Sequence, residues 1–197
     1  LHREALALKR AGGGDDEAVA TSLNNLAVVM QHQQKFSDAE KALREALDIQ
    51  RKKNAADTPL ATTTLNNLAN SQLEAGNTQA ALEGYLSAAQ SFEKLNLPLY
   101  QAQAYANIAP ILAGQGMLDQ GRVYLERALA IQRKAGNRPA EGATLLNLGA
   151  LLNDAGKVAE SVAAYEAARS LFEGLGDRRS EALALHNLGR SHTEQQR

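Results

Sequence analysis

The sequence predicts an all-α solenoid of antiparallel helix pairs, and three observations carry that prediction. Asn25-Leu26-Ala27, Asn67-Leu68-Ala69, Asn107-Ile108-Ala109, Asn147-Leu148-Gly149 and Asn187-Leu188-Gly189 recur in steps of 42, 40, 40 and 40 residues. Apolar residues inside each unit recur at mixed steps of three and four, the spacing of one helical face. Gly76, Gly116, Gly156 and the prolines fall between these segments, with one exception at Pro110. A period in this range means stacked copies of one small unit, each burying its apolar face against its neighbours, and such arrays usually hold partners rather than do chemistry.

Taken in order, Arg3-Glu4-Ala5-Leu6 aligns with Arg44-Glu45-Ala46-Leu47, so residues 1–14 read as the partial second helix of a preceding repeat. Repeats then follow at 15–56, 57–98, 99–138 and 139–178, and 179–197 is the first helix of a fifth, all within a single array over 1–197. Gly12-Gly13-Gly14 is a flexible inter-unit turn, since no strand precedes it as a phosphate cradle requires. In repeat one, Val19, Leu23, Leu26, Val28, Val29 and Met30 define helix A over about 16–33, with Asp15, Asp16 and Glu17 at the positive end of its dipole. Ser37-Asp38-Ala39-Glu40 has the form of a capping box that starts helix B, with Phe36 as its staple residue, and that helix runs to about 53.

Basic residues close the B helices at Lys9-Arg10, Arg51-Lys52-Lys53 and Arg133-Lys134, as the dipole alone favours, although a patch for phosphate or an acidic partner is the competing reading. Gly76, Gly116 and Gly156 follow the A helices and suit a left-handed closing residue, with Gln34 standing in that place in repeat one. Pro59, Pro98 and Pro139 mark the passage from one unit to the next. Pro110 lies inside a helix A and removes the donor that the Ala106 carbonyl expects, which predicts a kink or frayed turn there.

The bulk composition narrows the function classes. A formal charge of −1 and 4% aromatic residues argue against a nucleic-acid surface of basic stripes and stacking rings. There is no cysteine, so stability has to come from packing, and the usage fits the cytoplasm. No run approaches the ~18 apolar residues of a membrane span. No nucleophile elbow, His-Glu-x-x-His, EF-hand loop or dinucleotide fingerprint is present, Gly156-Lys157 is followed by Val158, and His2, His32, His186 and His192 lack metal-ligand partners at helical spacing. No enzyme activity, cofactor or metal is expected.

The repeats resemble the tetratricopeptide repeat. The resemblance rests on the small residue after Asn-Leu (Ala27, Ala69, Ala109, Gly149, Gly189), the small residue early in helix B (Ala39, Ala81, Gly121, Ser161), the bulky residue four later (Leu43, Tyr85, Leu125, Tyr165) and the Ala three beyond (Ala46, Ala88, Ala128, Ala168). It implies a right-handed superhelical solenoid. The longer 40–42-residue period is similar to the subclass of kinesin light chains and LGN-type adaptors; residues 57–69 look like a kinesin light chain unit, and Gly136-Asn137 and Gly176-Asp177 like LGN-type linkers. Trp is absent, and Gln72 occupies a place where a bulky apolar residue usually packs, so the first two units are expected to be looser. No helix follows to cover Leu185 and Leu188, so the ends are expected to continue in a longer protein or to meet a neighbouring molecule, end to end or as a homo-oligomer.

The resemblance further implies that the A helices line a concave groove, where a residue equivalent to the recurring Asn bonds the backbone of a bound protein or extended peptide. This nominates Asn25, Asn67, Asn107, Asn147 and Asn187. The alternative is that each amide bonds the neighbouring A helix as internal mortar, and periodicity does not separate the two. Residues at −4, −1, +3 and +7 from each Asn share its face: Thr21, Asn24, His32, Thr63, Asn66, Asn70 and Glu74 in the first two units, then Ala106, Pro110, Gly114, Ala143, Leu146 and Ala150. A ligand is therefore expected to place polar groups near Asn66 and Asn70 and an apolar anchor near Leu146, unless Leu146 packs against the next repeat. The expected role is a non-enzymatic protein-binding scaffold; a regulatory or self-associating array serving an effector domain outside this segment is the alternative, and a helical-repeat RNA reader the third.

Overall fold

The computed structural model describes residues 16–53 and 57–195; the expected helix over 1–14, with its glycine turn and Lys9-Arg10, lies outside the described residues. Nine α-helices account for most of the described residues, in two compact units that meet in sequence between Leu97 and Pro98. The first unit holds α1 (Asp16–His32), α2 (Phe36–Lys52), α3 (Pro59–Glu74) and α4 (Thr78–Lys94). The second holds α5 (Pro98–Gly114), α6 (Leu118–Lys134), α7 (Arg138–Asp154), α8 (Val158–Leu175) and α9 (Arg178–Gln195). Odd-numbered helices are the A helices and even-numbered ones the B helices. Among the described residues no helix is long and apolar enough to cross a membrane.

Packing in the first unit follows the sequence periodicity. Val19, Leu23, Leu26 and Met30 line the inner face of α1 and meet Ala39, Leu43, Ala46 and Leu47 of α2, with Leu68 of α3 joining the same cluster. Burial of one such leucine contributes about 1.5–3 kcal/mol, and the alanines between them let the helix axes approach. Consecutive helices pack on each other, and α1 also touches α3 directly. Gln72 is buried, and beside it a side-chain carbon at Gly84 of α4 would stand 2.9 Å from Cβ of Ala69.

The second unit repeats the plan, with consecutive helices packed and A helices in contact with each other (α5 with α7, α7 with α9). Leu129, Leu145, Ala168, Phe172 and Ala184 form one apolar cluster and Ala109, Leu125 and Leu151 another. Two glycines on α7 are required by these contacts. A side-chain carbon at Gly142 would stand 2.7 Å from the Phe172 ring, and one at Gly149 would stand 2.5 Å from the Tyr165 ring. The Ser161 hydroxyl on α8 donates to the Gly149 carbonyl at 2.8 Å, and that of Ser191 on α9 donates to Asn153 Oδ1 on α7 at 3.1 Å.

Seven helix junctions among the described residues share one device. A residue in the left-handed region closes the helix while the next backbone N–H reaches back five residues, as when Lys35 donates to the Met30 carbonyl at 2.9 Å and Lys157 to that of Leu152 at 2.9 Å. Gly76, Gly116, Gly136, Gly156 and Gly176 take this role, and Gln34 and Asn96 take it without glycine. The capping box expected at Ser37 does not form. Closure at Gln34 brings α2 in at once, so Phe36 is already helical, the cap position falls on Lys35, and Lys35 makes no side-chain cap bond. A side-chain cap does form at Thr58, whose hydroxyl accepts from the Ala61 N–H at 3.2 Å, with Pro59 as first helical residue.

Two further expectations are corrected. No frayed turn forms at Pro110: α5 runs unbroken from Pro98 to Gly114, and Pro110 is exposed on the side away from buried Ile108, Ala109, Ile111 and Leu112, where solvent can replace the missing donor. Leu188 is not left uncovered, because it turns inward and is buried in a helix packed on both α7 and α8. Leu185 is exposed as expected, and so is Leu183.

Candidate functional site

The recurring asparagines occupy the same phase on every A helix, yet their surroundings differ. In the first unit Asn25 is exposed, whereas Asn67 is half-buried and donates from Nδ2 to Oδ1 of Asn24 on α1 at 3.0 Å. Gln31 of α1 adds two bonds to α3, donating at 2.8 Å to the Asn67 carbonyl and at 2.8 Å to the Ser71 hydroxyl. Amides thus join α1 to α3, and Asn67 serves at least in part as internal mortar.

Several residues expected to read a ligand are occupied or buried here. Asn24 and Asn66 are only 8% and 7% exposed, because one step back from the ladder position turns a side chain about 100° toward the adjacent layer, so neither presents an open surface. Asn66 Oδ1 has no partner among the described residues. Asn70 accepts from the Tyr85 hydroxyl at 2.5 Å, and burial, with a smaller contribution from the charge of Glu74, pushes the Tyr85 pKa well above its ordinary value. Thr21 and Thr63 bond back to the carbonyls of Glu17 and Pro59 in their own helices. His32 and Glu74 are exposed, and with Gln31, Gln34, Phe36 and Asn70 they border one shallow depression.

The second unit is more open. Asn107 and Asn147 line a cleft of about 450 Å³ between α5 and α7, bordered by Ala106, Ala143, Leu99 and Tyr100. Asn147 also faces a second cleft of about 340 Å³ with Pro110, Gly114 and Ala150. Five residues expected on the groove face, Ala106, Pro110, Gly114, Ala143 and Ala150, therefore do line open space. Leu146 does not stand free as an anchor, since it packs half-buried against the cluster of Leu145, Phe172 and Ala184, the inter-repeat alternative. Asn187 is half-buried on α9.

Sequence reasoning missed Gln50 and Gln132. Both are buried in the last turn of a B helix, and each has a side-chain oxygen without a partner among the described residues. Gln50 donates only a long 3.4 Å bond to Thr64 Oγ1. The signal was present: Ile-Gln-Arg-Lys at 49–52 and 131–134 replaces the phenylalanine-bearing ends at 91–94 and 171–174, and Thr64 and Thr144 replace Ala104 and Ala184 in the following A helices. The basic ends carry exposed ion pairs, Arg133 with Glu141 at 2.7 Å and Lys53 with Asp16 at 3.2 Å, each worth at most about 1 kcal/mol. Among the described residues no cluster of His, Asp and Glu could hold a metal ion.

A family model described as tetratricopeptide repeat matches residues 1–52, 19–94, 100–173 and 141–197. The chain belongs to the tetratricopeptide repeat family. No curated protein matches it in sequence. Among solved structures it is similar to BtubC (BKLC) from P. vanneervenii, at 23% identity and TM-score 0.80 over 89% of this chain and 72% of that one. It is similar also to a putative kinesin light chain of Podosopora anserina with nearly identical TPR-like repeats, at 20% identity and TM-score 0.78 over 93% of this chain and 90% of that one. A Rap protein complexed with Competence and Sporulation Factor matches at 16% identity and TM-score 0.70 over 91% of this chain and 65% of that one. At these identities the likeness concerns the fold, a TPR-like stack of antiparallel helix pairs, and the resemblance to kinesin light chain arrays holds at that level. Domains of this family generally bind proteins and are typically non-catalytic.

Proposed function

We propose that the chain is a non-enzymatic scaffold that holds an extended segment of a partner protein against its A helices, with the contact concentrated on α5 and α7. The observation that carries this reading is that Asn107 and Asn147 border open clefts beside the small residues Ala106, Ala143, Ala150 and Gly114. Small neighbours leave room for a backbone to approach, and a carboxamide offers an acceptor and a donor to the N–H and C=O that one residue of an extended chain points to the same side. An extended chain rises about 3.3 Å per residue and packed helices lie about 8–10 Å apart, so successive amides would meet about every third peptide unit. Asn67, already bonded to Asn24, contributes mainly to holding α1 and α3 together. The complex formed by the Rap protein with its factor supports a bound partner on this kind of fold.

The test is a peptide array followed by fluorescence anisotropy on the best binder. The Asn107→Ala/Asn147→Ala pair is expected to weaken binding at least about ten-fold, two hydrogen bonds being lost. Asn67→Ala is expected to change affinity little. An unchanged affinity in the double variant refutes the reading. Self-association is the second reading, favoured by Leu183 and Leu185, which are 51% and 47% exposed on α9. A sedimenting mass that stays monomeric at all concentrations rejects it.

A further inference from the structure

The cleft between α5 and α7 has a floor that backbone recognition does not explain. Gln132, in the last turn of α6, is 3% exposed and borders this cleft. Its Oε1 is fully buried and has no partner among the described residues. A buried carbonyl oxygen without a partner loses hydration that nothing replaces, a penalty of the size of a lost hydrogen bond or more, so its presence in a side chain that borders an open cleft points to an occupant toward which that side chain turns. The equivalent place in the fourth repeat is filled by Phe172, so the glutamine is not needed for packing there.

The chemistry of the occupant follows from the lining. None of the residues bordering the cleft carries a formal charge. Of the nearest charges in sequence, Arg133 and Glu141 are paired with each other at 2.7 Å, and Arg138, outside the cleft lining, is exposed with its guanidinium near Gly174 of α8. A charged side chain entering would give up its hydration without finding a counter-charge. The group must be neutral and must pair with an amide. Backbone groups are flanked by chain on both sides and meet a cleft broadside, whereas a primary carboxamide ends a stem, carries donor and acceptor on one edge and can enter end first. Leu99 and Tyr100 at the rim offer apolar surface to a methylene stem.

We propose that this cleft is a subsite for a primary carboxamide, the side chain of Gln or Asn in the bound segment, recognised by amide-to-amide pairing with Gln132. The proposal rests on the reading that a peptide lies along α5 and α7. It is tested on the full chain by nitrogen-15 NMR with propionamide, N,N-dimethylpropionamide and propionate as probes, the Gln132 side-chain resonance being assigned by its loss in Gln132→Met. Propionamide is expected to shift that resonance and to bind at least about five-fold more tightly than either other probe, the discrimination one hydrogen bond provides. Gln132→Met should abolish the preference. Ala143→Leu, a change at an exposed cleft residue, should block the probe without touching Gln132. Equal binding of the three probes, a preference kept in Gln132→Met, or a shift unaffected by Ala143→Leu overturns it. Peptides that respond to Asn147→Ala but show no Gln or Asn preference overturn the subsite alone. A propionamide response in a chain that binds no peptide supports the subsite and removes the peptide reading.

Discussion

Gly149 and Gly189 hold the same place in successive repeats, and alanine at the two should shift stability in opposite directions. At Gly149 a new side-chain carbon would stand 2.5, 2.7 and 2.8 Å from three atoms of the Tyr165 ring, where ordinary contact begins near 3.4 Å. The ring would have to retreat by roughly 1 Å, and Tyr165 is 1% exposed. Overpacking of this kind costs about 1–3 kcal/mol, against about 1 kcal/mol gained by replacing glycine with alanine inside a helix. The net for Gly149→Ala is a loss of about 1 kcal/mol, or a Tm lower by about 2–4 °C in a chain of this size. At Gly189 nothing lies within 4 Å, so only the helical gain applies and Tm should rise by about 2 °C. Differential scanning calorimetry of the two variants decides it. If Gly149→Ala is as stable as the parent, or if both variants move the same way, close approach of α7 and α8 is not what fixes this position.

Tyr85→Phe tests the buried phenol. Because the fold raises the Tyr85 pKa above its unfolded value of 10.0, this contribution is fully present below pH 10 and is lost as pH rises through 10 toward the folded value; chemical denaturation of the parent should therefore fall more steeply above pH 10 than that of the variant, by up to about 1 kcal/mol per pH unit. Gln50→Leu removes an oxygen that has no partner among the described residues, while Thr64 keeps its bond to the Leu60 carbonyl at 2.8 Å, so stability should rise by about 1 kcal/mol in urea titrations. Ala106→Asn should bring an amide beside Asn147 and weaken peptide binding about five-fold in anisotropy while leaving Tm within about 2 °C.

The helix edges were legible because the sequence carries two independent signals for them, apolar phase and backbone punctuation. The phase of Val19, Leu23, Leu26 and Met30 puts α1 within one residue of its observed end, and Gly76, Gly116 and Gly156 mark left-handed closures. Where one signal stood alone it misled. Ser-x-x-Glu at 37–40 reads as a start only if the chain enters the helix there, and the reach-back from Lys35 to Met30 fixes an earlier entry. Leu188 was read as uncovered because a missing partner helix says nothing about which face of α9 turns inward. Gln132 escaped notice because helical phase assigns a residue to a face, whereas hydrogen-bond satisfaction depends on atoms from α6 and α7 that only the fold brings together.

The asparagine ladder shows most directly what repetition conceals. Identical side chains recur in five A helices, yet the partner available to Asn67, Asn147 and Asn187 is set by a residue that differs among them, the one preceding the ladder position in the previous A helix. Before Asn67 that residue is Asn24, whose carbonyl oxygen takes the Asn67 donor at 3.0 Å and ties α1 to α3. Before Asn147 it is Ala106, which has no side-chain polar atom, and Asn147 is left at the edge of two clefts. Before Asn187 it is Leu146, which instead packs half-buried against Leu145, Phe172 and Ala184. An amide bonded to a neighbour must give up that bond before it meets a ligand, at a cost of about 1 kcal/mol, whereas an amide beside alanine gives up only water. The variable −1 residue, more than the repeated Asn, therefore decides which rungs hold the fold and which are open to a partner.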